Sequence, residues 1–349
     1  MNLKSILLAA GIVAASCGSS VVSAQTATGQ ESELQNLSFD AYLQILIARA
    51  RAEGVSEQTL RRMTSGLTPN DRVIRLDRGQ PGRPTRSGYP AMSPYINTHV
   101  NSVRIRGGRN VFSANRSQLL AVEAEYGVPA EIIVAIFGHE TSYGRIRGNF
   151  DLARSLATLA WEGRRRELFS GEFVALMKVA DKGYARNELV GSYAGAFGNP
   201  QFLPSVYLRL AKDGDGDGRA NIFTNRADTF ASIGNYLRFA GWRPGQPWGV
   251  RASVPANLNL DEFKTEIVSP VCNRVHERHS EWKTVAEWSE LGVRPQRVLG
   301  DDVLASLFQP DGPGTRAWLL TGNYRTILEY NCSNYYAMSV GLLADEIAR

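Results

Sequence analysis

Residues 128–144 read VPAEIIVAIFGHETSYG, and this stretch predicts a helix that carries a candidate catalytic side chain. Pro129 suits the first turn of a helix, where its missing N–H leaves no bond unmade. Apolar side chains then recur three and four residues apart and lead on the same face to Glu140. A carboxyl group at the inner end of an apolar face is partly desolvated, which raises its pKa and suits it to donate a proton. The alternative is a helix-end glutamate that pairs with Arg145 or Arg147.

Residues 213–220 read DGDGDGRA and place three carboxylates on alternate positions, each followed by glycine. The pattern is similar to the first half of an EF-hand loop, in which such oxygens converge on calcium. The glycines allow the positive backbone angles that a sharply folded loop requires. A threonine stands where that loop would end in glutamate, and Asp228 is the later carboxylate that replaces it. The sequence therefore predicts a calcium site, with a solvated acidic turn as the alternative.

Residues 1–24 have the features of a cleaved secretory signal. A positively charged start, an apolar stretch too short to span a bilayer and a small-residue exit follow one another. The alternatives are a buried N-terminal helix and lipoprotein processing at Cys17, which would give an outer-membrane lipid anchor. Cleavage leaves 325 of the 349 residues. Residues 25–35 are polar and are predicted to be a disordered linker, whereas residues 36–349 suffice for a substantial core.

The cysteines and the charge indicate an exported protein that does not bind nucleic acid. Removing the signal leaves Cys272 and Cys332, which in an oxidising compartment most simply form a disulfide, with buried free thiols as the alternative. The formal charge of +5 falls to +4. That mild excess suits an acidic polymer but is too weak to indicate nucleic acid. No later apolar run reaches membrane length, and we expect a monomer.

Helical patterning predominates along the chain, so the sequence predicts a mainly α protein of the α+β class. The helical segments are predicted at 39–52, from Ser56 to Gly66, at 95–127 with a break at Gly107-Gly108, and at 152–162, 167–184, 228–240 and 333–348. A long ordered loop is expected at 78–94. Residues 243–290 look mixed, with a strand-like stretch at 264–272.

Three segments in this order resemble lytic murein transglycosylases of the B type. They are GHETSYGR at 138–145, GSYAGAFGNPQFLPS at 191–205 and the acidic loop at 213–220. The resemblance runs from about residue 38 to the C-terminus. It implies a catalytic region with a lysozyme-like core and a small β excursion, in a periplasmic enzyme that acts on peptidoglycan glycan strands.

The resemblance implies that Glu140 is the single catalytic acid, which cleaves the β-1,4 bond between N-acetylmuramic acid and N-acetylglucosamine. It would protonate the leaving oxygen and then act as base on the muramoyl C6 hydroxyl, which closes a 1,6-anhydro ring. No water enters and no catalytic cofactor is expected, so one carboxylate suffices where ordinary glycosidases need two. The alternatives are a hydrolytic muramidase and a catalytically inactive, calcium-dependent wall-binding protein.

The same resemblance implies the roles of further side chains. The substrate-contacting positions are Ser192, Gln201, Tyr236, Tyr330, Asn331 and Tyr95, with Arg165 and Arg166 suited to peptide-stem carboxylates. The calcium ligands would be the carboxylates of Asp213, Asp215, Asp217 and Asp228 and the carbonyl of Arg219. The ion would brace the substrate loop and take no part in bond cleavage. Core tyrosines and a solvated arginine face are the alternatives. His139 departs from the pattern, because a small or aliphatic residue is commoner before the glutamate.

Overall fold

The computed structural model describes residues 34–80, 90–269, 272 and 275–349. The predicted signal, Cys17 and most of the predicted linker lie outside the described residues, as does the centre of the predicted loop at 78–94. None of the helices formed by the described residues has the length and apolar content needed to cross a membrane.

Helices make up most of the regular structure in the described ranges. They are α1 (Phe39–Ala52), α2 (Glu57–Thr64), α3 (Asp71–Arg78), α4 (Ser93–His99), α5 (Ser102–Ala114), α6 (Arg116–Tyr126), α7 (Ala130–Thr141), α8 (Leu152–Glu162), α9 (Arg166–Asp181), α10 (Pro204–Leu210), α11 (Arg226–Phe239), α12 (Val285–Glu290), α13 (Gly322–Tyr330) and α14 (Asn334–Ala348). The predicted helices at 39–52, 152–162 and 333–348 are confirmed, whereas α3 and α13 were not predicted.

Helix α7 lies at the centre of one apolar core, and every residue from Ile132 to Gly138 is buried. It packs against α14, α5 and α11. A second core joins α1, α2, α8 and α9 to the glycine loop at 191–200. The Glu140 end of α7 is tied to that glycine loop by the side-chain hydroxyl of Thr141, which donates to the Asn199 carbonyl at 3.2 Å.

The predicted break at Gly107-Gly108 is wrong, because both glycines lie inside α5. A Cβ added to Gly107 would stand 2.7 Å from the Tyr143 ring, and one added to Gly108 would stand 2.5 Å from Ile347. The two glycines therefore let α5 approach its neighbours closely, and this packing offsets their low helix propensity.

The described strands form a small ribbon and a larger sheet. The ribbon pairs β1 (Phe150–Asp151) with β2 (Val190–Gly191); the sheet contains β3 (Gly249–Ser253), β4 (Trp282–Thr284), β5 (Arg294–Pro295), β6 (Leu304–Phe308) and β7 (Ala317–Leu320). The sheet is antiparallel with the order β4-β6-β7-β3-β5, and a third apolar core lies on it.

The predicted strand at 264–272 is wrong. The described residues of this stretch form only an isolated bridge between Lys264 and Ser280. Ile267 and Val268 are 44% and 72% exposed, so their side chains have no sheet face to pack on. The predicted disulfide, by contrast, is present between Cys272 and Cys332, whose Cα atoms lie 5.3 Å apart.

Candidate active site

The C-terminal end of α7 presents Glu140 at a sharply turned segment of backbone. Ser142 and Tyr143 have φ angles of 50° and 63°, in the left-handed region that non-glycine residues seldom adopt. The Tyr143 hydroxyl donates to the Arg104 carbonyl at 2.7 Å, and the Thr141 hydroxyl accepts the Gly144 N–H at 3.0 Å. These bonds fix the turn that ends the helix immediately after the carboxyl group.

The carboxyl group of Glu140 is held by one phenol and is largely removed from water. The Tyr336 hydroxyl donates to Glu140 Oε1 at 2.6 Å. Burial raises the pKa of Glu140 to about 7, although the Tyr336 hydrogen bond acts in the opposite direction. A carboxyl group with this pKa is half protonated at neutral pH, so it can both donate and accept a proton.

The alternative role for Glu140, an ion pair at the helix end, does not match the geometry. Arg145 donates to the Ser142 carbonyl at 3.1 Å, and Arg147 donates to the Phe223 carbonyl. Within the described residues, no arginine or lysine forms an ion pair with Glu140. Its proton affinity is therefore set by burial and by Tyr336.

Two of the predicted tyrosines pack against each other beside the glycine loop. The Tyr330 hydroxyl donates to the Pro200 carbonyl at 2.7 Å, and the Tyr236 hydroxyl donates to the Glu329 carbonyl at 2.7 Å. Their ring centroids lie 4.6 Å apart. Burial and then the nearby Glu140 charge raise the pKa of Tyr330, which brings this pair of rings into the surroundings of the acid.

Tyr95 approaches Glu140 from α4. Its ring stacks on His99 with centroids 3.8 Å apart and meets the Tyr335 ring edge-on at 5.6 Å. Burial raises the pKa of the Tyr95 phenol, and the charge on Glu140 raises it further. Three tyrosines from distant parts of the sequence, Tyr95, Tyr330 and Tyr336, therefore lie near the Glu140 carboxyl group.

The glycine loop holds Ser192 and Gln201 in defined conformations. Ser192 Oγ accepts the Ala196 N–H at 3.0 Å, which closes the loop on itself. Gln201 has a φ angle of 52°, and its side-chain amide donates to the Gly198 carbonyl at 2.9 Å. Asn331 is exposed directly after α13. The loop therefore holds these two polar side chains in a segment that Thr141 ties to the Glu140 end of α7.

The two predicted arginines have partners within the protein. Arg165 forms an ion pair with the buried carboxylate of Asp77, and its guanidinium lies over the Phe169 ring at 4.8 Å. Burial alone would raise the pKa of Asp77, but its hydrogen bonds with Arg164 and Arg165 hold that pKa below its ordinary value. Arg164 and Arg165, which we call the arginine cluster, are thus anchored by the Asp77 carboxylate on α3.

The arginine cluster still lies close to the glycine loop. The Gln80 side chain accepts from Arg165 at 3.5 Å and donates to the Tyr193 hydroxyl at 2.6 Å, so it bridges the two. Arg166 differs, because its guanidinium lies over the Tyr42 ring at 4.7 Å and its terminal nitrogens are buried. Of the two arginines, Arg165 is therefore the one that Gln80 links to the glycine loop.

The acidic loop gathers three of the predicted calcium ligands. One carboxylate oxygen each from Asp213, Asp215 and Asp217 lies within 4.8 Å of the others, and all three residues are exposed. Asp213 accepts the N–H groups of Gly218 at 2.7 Å and Gly216 at 2.8 Å, and these bonds lower its pKa. Three carboxylates facing one point match the oxygen donors that calcium prefers.

Asp228 and Arg219 contribute to the acidic loop in another way. The buried Asp228 carboxylate accepts the N–H groups of Gly214 at 2.7 Å and Asn221 at 2.6 Å, so it holds the two ends of the loop together. The Arg219 guanidinium lies over the Tyr184 ring at 3.9 Å. The structure does not bring Asp228 into the cluster of three, and the ligand roles of both residues stay predictions.

Sequence reasoning missed Tyr336, the direct partner of Glu140. The two residues are 196 positions apart, and no local pattern relates them. The available signal was a pair of adjacent tyrosines, Tyr335 and Tyr336, near the start of the helix predicted at 333–348. Ser339 was missed for the same reason, although it is 2.7 Å from the His139 ring.

Comparison with known proteins places this architecture. A family model described as "Transglycosylase SLT domain" matches residues 38–345. Membrane-bound lytic murein transglycosylase B of Escherichia coli (strain K12) is 33% identical over 304 residues, which cover 84% of this chain and 79% of that protein.

Solved structures agree with the sequence relatives. SltB3 from Pseudomonas aeruginosa, in complex with NAG-anhNAM-pentapeptide, has a TM-score of 0.80 and 34% identity, covering 90% of this chain and 80% of that one. The Escherichia coli lytic transglycosylase Slt35, in complex with calcium, has a TM-score of 0.73 and 29% identity, covering 88% and 92%. The expected mainly α, lysozyme-like fold is confirmed. The chain therefore belongs to the transglycosylase SLT domain family and is an enzyme of the lytic murein transglycosylase type.

Proposed function

We propose that this enzyme cleaves the β-1,4 bond between N-acetylmuramic acid and N-acetylglucosamine and leaves a 1,6-anhydromuramoyl end. The observation that carries the proposal is Glu140, a carboxyl group with a pKa raised to about 7 by burial at the end of a packed helix. Tyr336 is its hydrogen-bond partner at 2.6 Å.

The reaction needs one group that gives up a proton and takes another. Glu140 donates its proton to the oxygen that joins the two sugars as the bond from that oxygen to the muramoyl C1 breaks. The resulting carboxylate accepts the proton of the muramoyl C6 hydroxyl while O6 bonds to C1. The carboxyl group is regenerated, so no water and no cofactor are consumed.

The other carboxylates close to Glu140 in the sequence have structural partners, which favours this route over hydrolysis. A glycosidase that uses water needs a second carboxylate as nucleophile or base. Asp151 pairs with Arg186 at 2.7 Å, and Glu162 pairs with Arg78 at 2.9 Å. The third such carboxylate, Asp181, accepts the Ser56 hydroxyl at 2.6 Å. Because each has a structural partner elsewhere, we do not assign any of them as a second catalytic group.

The glycan strand would lie along the glycine loop and the tyrosines. Tyrosine rings pack against sugar faces and keep a phenol for hydrogen bonding. We assign this role to Tyr95, Tyr236 and Tyr330, and we assign sugar hydroxyl and N-acetyl contacts to Ser192, Gln201 and Asn331. Arg165 is placed to bind a peptide-stem carboxylate at the edge of the loop, with Arg166 as the weaker candidate.

Calcium is proposed as a structural ion of the acidic loop. The carboxylates of Asp213, Asp215 and Asp217 would bind it directly, with the Arg219 carbonyl and Asp228 as the further predicted ligands. The related Slt35 has been solved in complex with calcium. The ion would neutralise three neighbouring negative charges and stiffen the segment that precedes α11, without entering the reaction.

We infer that the enzyme works outside the cytoplasm, where its proposed substrate lies, and we propose that it is a monomer. The related SltB3 has been solved with peptidoglycan fragments. In the intact cell, peptidoglycan is a long polymer of the wall. Export through the predicted signal at 1–24 would place the chain with this substrate, and lipid attachment at Cys17 is the less favoured variant. The Cys272–Cys332 disulfide suits an oxidising compartment.

Product analysis tests the proposal directly. Purified sacculi are digested with the enzyme, and the muropeptides are separated and weighed by mass spectrometry. We expect every new muramoyl end to be lighter than its hydrolytic counterpart by one water, because O6 replaces the incoming water. Reducing ends without anhydromuramic acid would support a muramidase instead. Binding to sacculi without any new ends would support an inactive wall-binding protein.

A further inference from the structure

His139 is an ionisable side chain beside the catalytic carboxyl group that the reaction above does not use. Its Nδ1 lies 3.1 Å from the Ala135 carbonyl, and its Nε2 lies 2.7 Å from Ser339 Oγ. The ring also meets the Tyr336 ring edge-on with centroids 5.5 Å apart. His139 therefore joins α7, the helix of Glu140, to the turn of α14 that carries Tyr336.

The partners of His139 fix its protonation. The Ala135 carbonyl can only accept, so Nδ1 carries the hydrogen, and Nε2 of a neutral ring must accept from Ser339. Ser339 Oγ also lies 2.9 Å from the Tyr336 carbonyl, so its single hydrogen is shared between two acceptors. Burial, followed by the charge on Arg104, lowers the pKa of His139 to about 3. A ring with this pKa is neutral near pH 7.

A neutral histidine in this place cannot carry protons for Glu140, but it can hold the partner of Glu140 in position. Adjacent residues of α7 make adjacent contacts with α14. His139 reaches Ser339 and the edge of Tyr336, while Glu140 receives the Tyr336 hydroxyl. We propose that His139, through Ser339, is a positioning residue that sets the Tyr336–Glu140 hydrogen bond and thereby the proton affinity of the catalytic acid.

The charged and titratable groups around this cluster are few. Arg104 on α5 and His99 on α4 face His139, and both disfavour a second positive charge there. Tyr95 and Tyr330 face Glu140 from α4 and α13. None of these groups binds the Glu140 carboxyl group directly, so the Tyr336 bond is the contact through which His139 acts.

The experiment measures the pH dependence of kcat/KM in His139→Val and Ser339→Ala, together with the double variant. Glu140 must be protonated to start the reaction, so activity falls as pH rises through its pKa. A looser Tyr336 bond favours the carboxylate less, which raises that pKa and moves the alkaline limb upward. We expect a shift of about 0.5 pH unit and a fall in kcat of about fivefold in each single variant.

The double variant and a conservative replacement sharpen the test. Because His139 and Ser339 act through one contact, the double variant should show about the same shift as either single variant. His139→Gln keeps an acceptor for Ser339, so the alkaline limb of its kcat/KM profile should lie at the wild-type pH. Val340→Ala removes buried methyl groups from the same helix without touching the contact, so it should lower stability and leave the limb in place.

This inference rests on the proposed role of Glu140, and the two can fail separately. If Glu140→Gln keeps full turnover, the catalytic assignment itself is wrong. If Glu140→Gln is inactive but the limb stays in place in His139→Val and Ser339→Ala, only the positioning role is wrong. A shift in Val340→Ala as large as that in His139→Val would also overturn it, because general loosening of α14 would then suffice.

Discussion

Glu140 and Asp213 are both carboxyl groups, yet the fold moves their pKa values in opposite directions. Burial at the end of α7 raises the pKa of Glu140 to about 7, against the single lowering contribution of Tyr336. Asp213 lies on an exposed loop, where backbone N–H groups, first that of Gly218, lower its pKa. A carboxyl group surrounded by packed helices keeps a proton, and one surrounded by loop amides loses it.

The two environments follow from two kinds of sequence. Continuous apolar residues from Ile132 to Phe137 bury the helix that carries Glu140 in its last turn, so the acid lies where water is scarce. Alternating glycine and aspartate at 213–218 cannot bury anything, but they turn the backbone so that its N–H groups face Asp213. The first arrangement suits proton transfer, and the second suits charge that a cation can neutralise.

The largest effect is expected from Glu140→Gln. The amide cannot donate and recover a proton in turn, so turnover on sacculi should fall by at least about 10³-fold. Release of muropeptides measures the loss. Binding to sacculi and the circular dichroism spectrum should stay unchanged, since glutamine has nearly the same shape. Residual activity within tenfold of the wild type would show that another group performs the chemistry.

The same variant should also reveal how much the buried Glu140 carboxyl group lowers the free energy of unfolding. Between pH 4.5, the ordinary pKa of glutamate, and about 7, the native state holds a proton that the unfolded chain has released. Wild-type stability therefore falls as pH rises through this window, by on the order of 3 kcal/mol. Glu140→Gln has no such proton, so it should be more stable than the wild type at pH 8 and about equal at pH 4. Denaturant unfolding at the two pH values measures the difference, and equal differences would contradict the raised pKa.

Burial stabilises the protonated form of Glu140, whereas bound calcium should stabilise the charged form of the exposed carboxylates in the acidic loop. At a concentration 100 times its Kd, a bound ion adds about 2.7 kcal/mol, or on the order of 5 °C in the thermal midpoint. Scanning calorimetry with calcium and with a chelator measures the shift. Asp215→Asn should abolish most of it, whereas Asp302→Asn, an exposed aspartate outside the loop, should not. An identical midpoint in fully demetallated and calcium-loaded protein would leave the solvated acidic turn as the correct interpretation.

Local sequence patterns were sufficient for the parts of the protein that local physics decides. The helix of Glu140 was predictable because its apolar residues, its proline and its terminal turn all lie within one stretch. Strands β6 and β7 were not, because LASLF and AWLL are almost wholly buried and lack the alternation that marks a half-exposed strand. Glycine suggested a break in α5 that tertiary packing removed. The resemblance to a family identified Glu140, but neither resemblance nor pattern indicated that Tyr336 would hold it.

The Tyr336 hydrogen bond is the contact through which the pKa of Glu140 can be changed in small steps. Tyr336→Phe keeps the ring and removes the hydroxyl, so Glu140 loses its only lowering contribution and its pKa should rise further. Because the enzyme starts from protonated Glu140, the alkaline limb of kcat/KM should move upward by up to about one pH unit. Tyr335→Phe, whose hydroxyl donates instead to the Pro90 carbonyl, is the matched control and should leave the limb unchanged. A limb that moved downward in Tyr336→Phe would mean that the phenol stabilises the protonated acid, and the sign of the argument would have to be reversed.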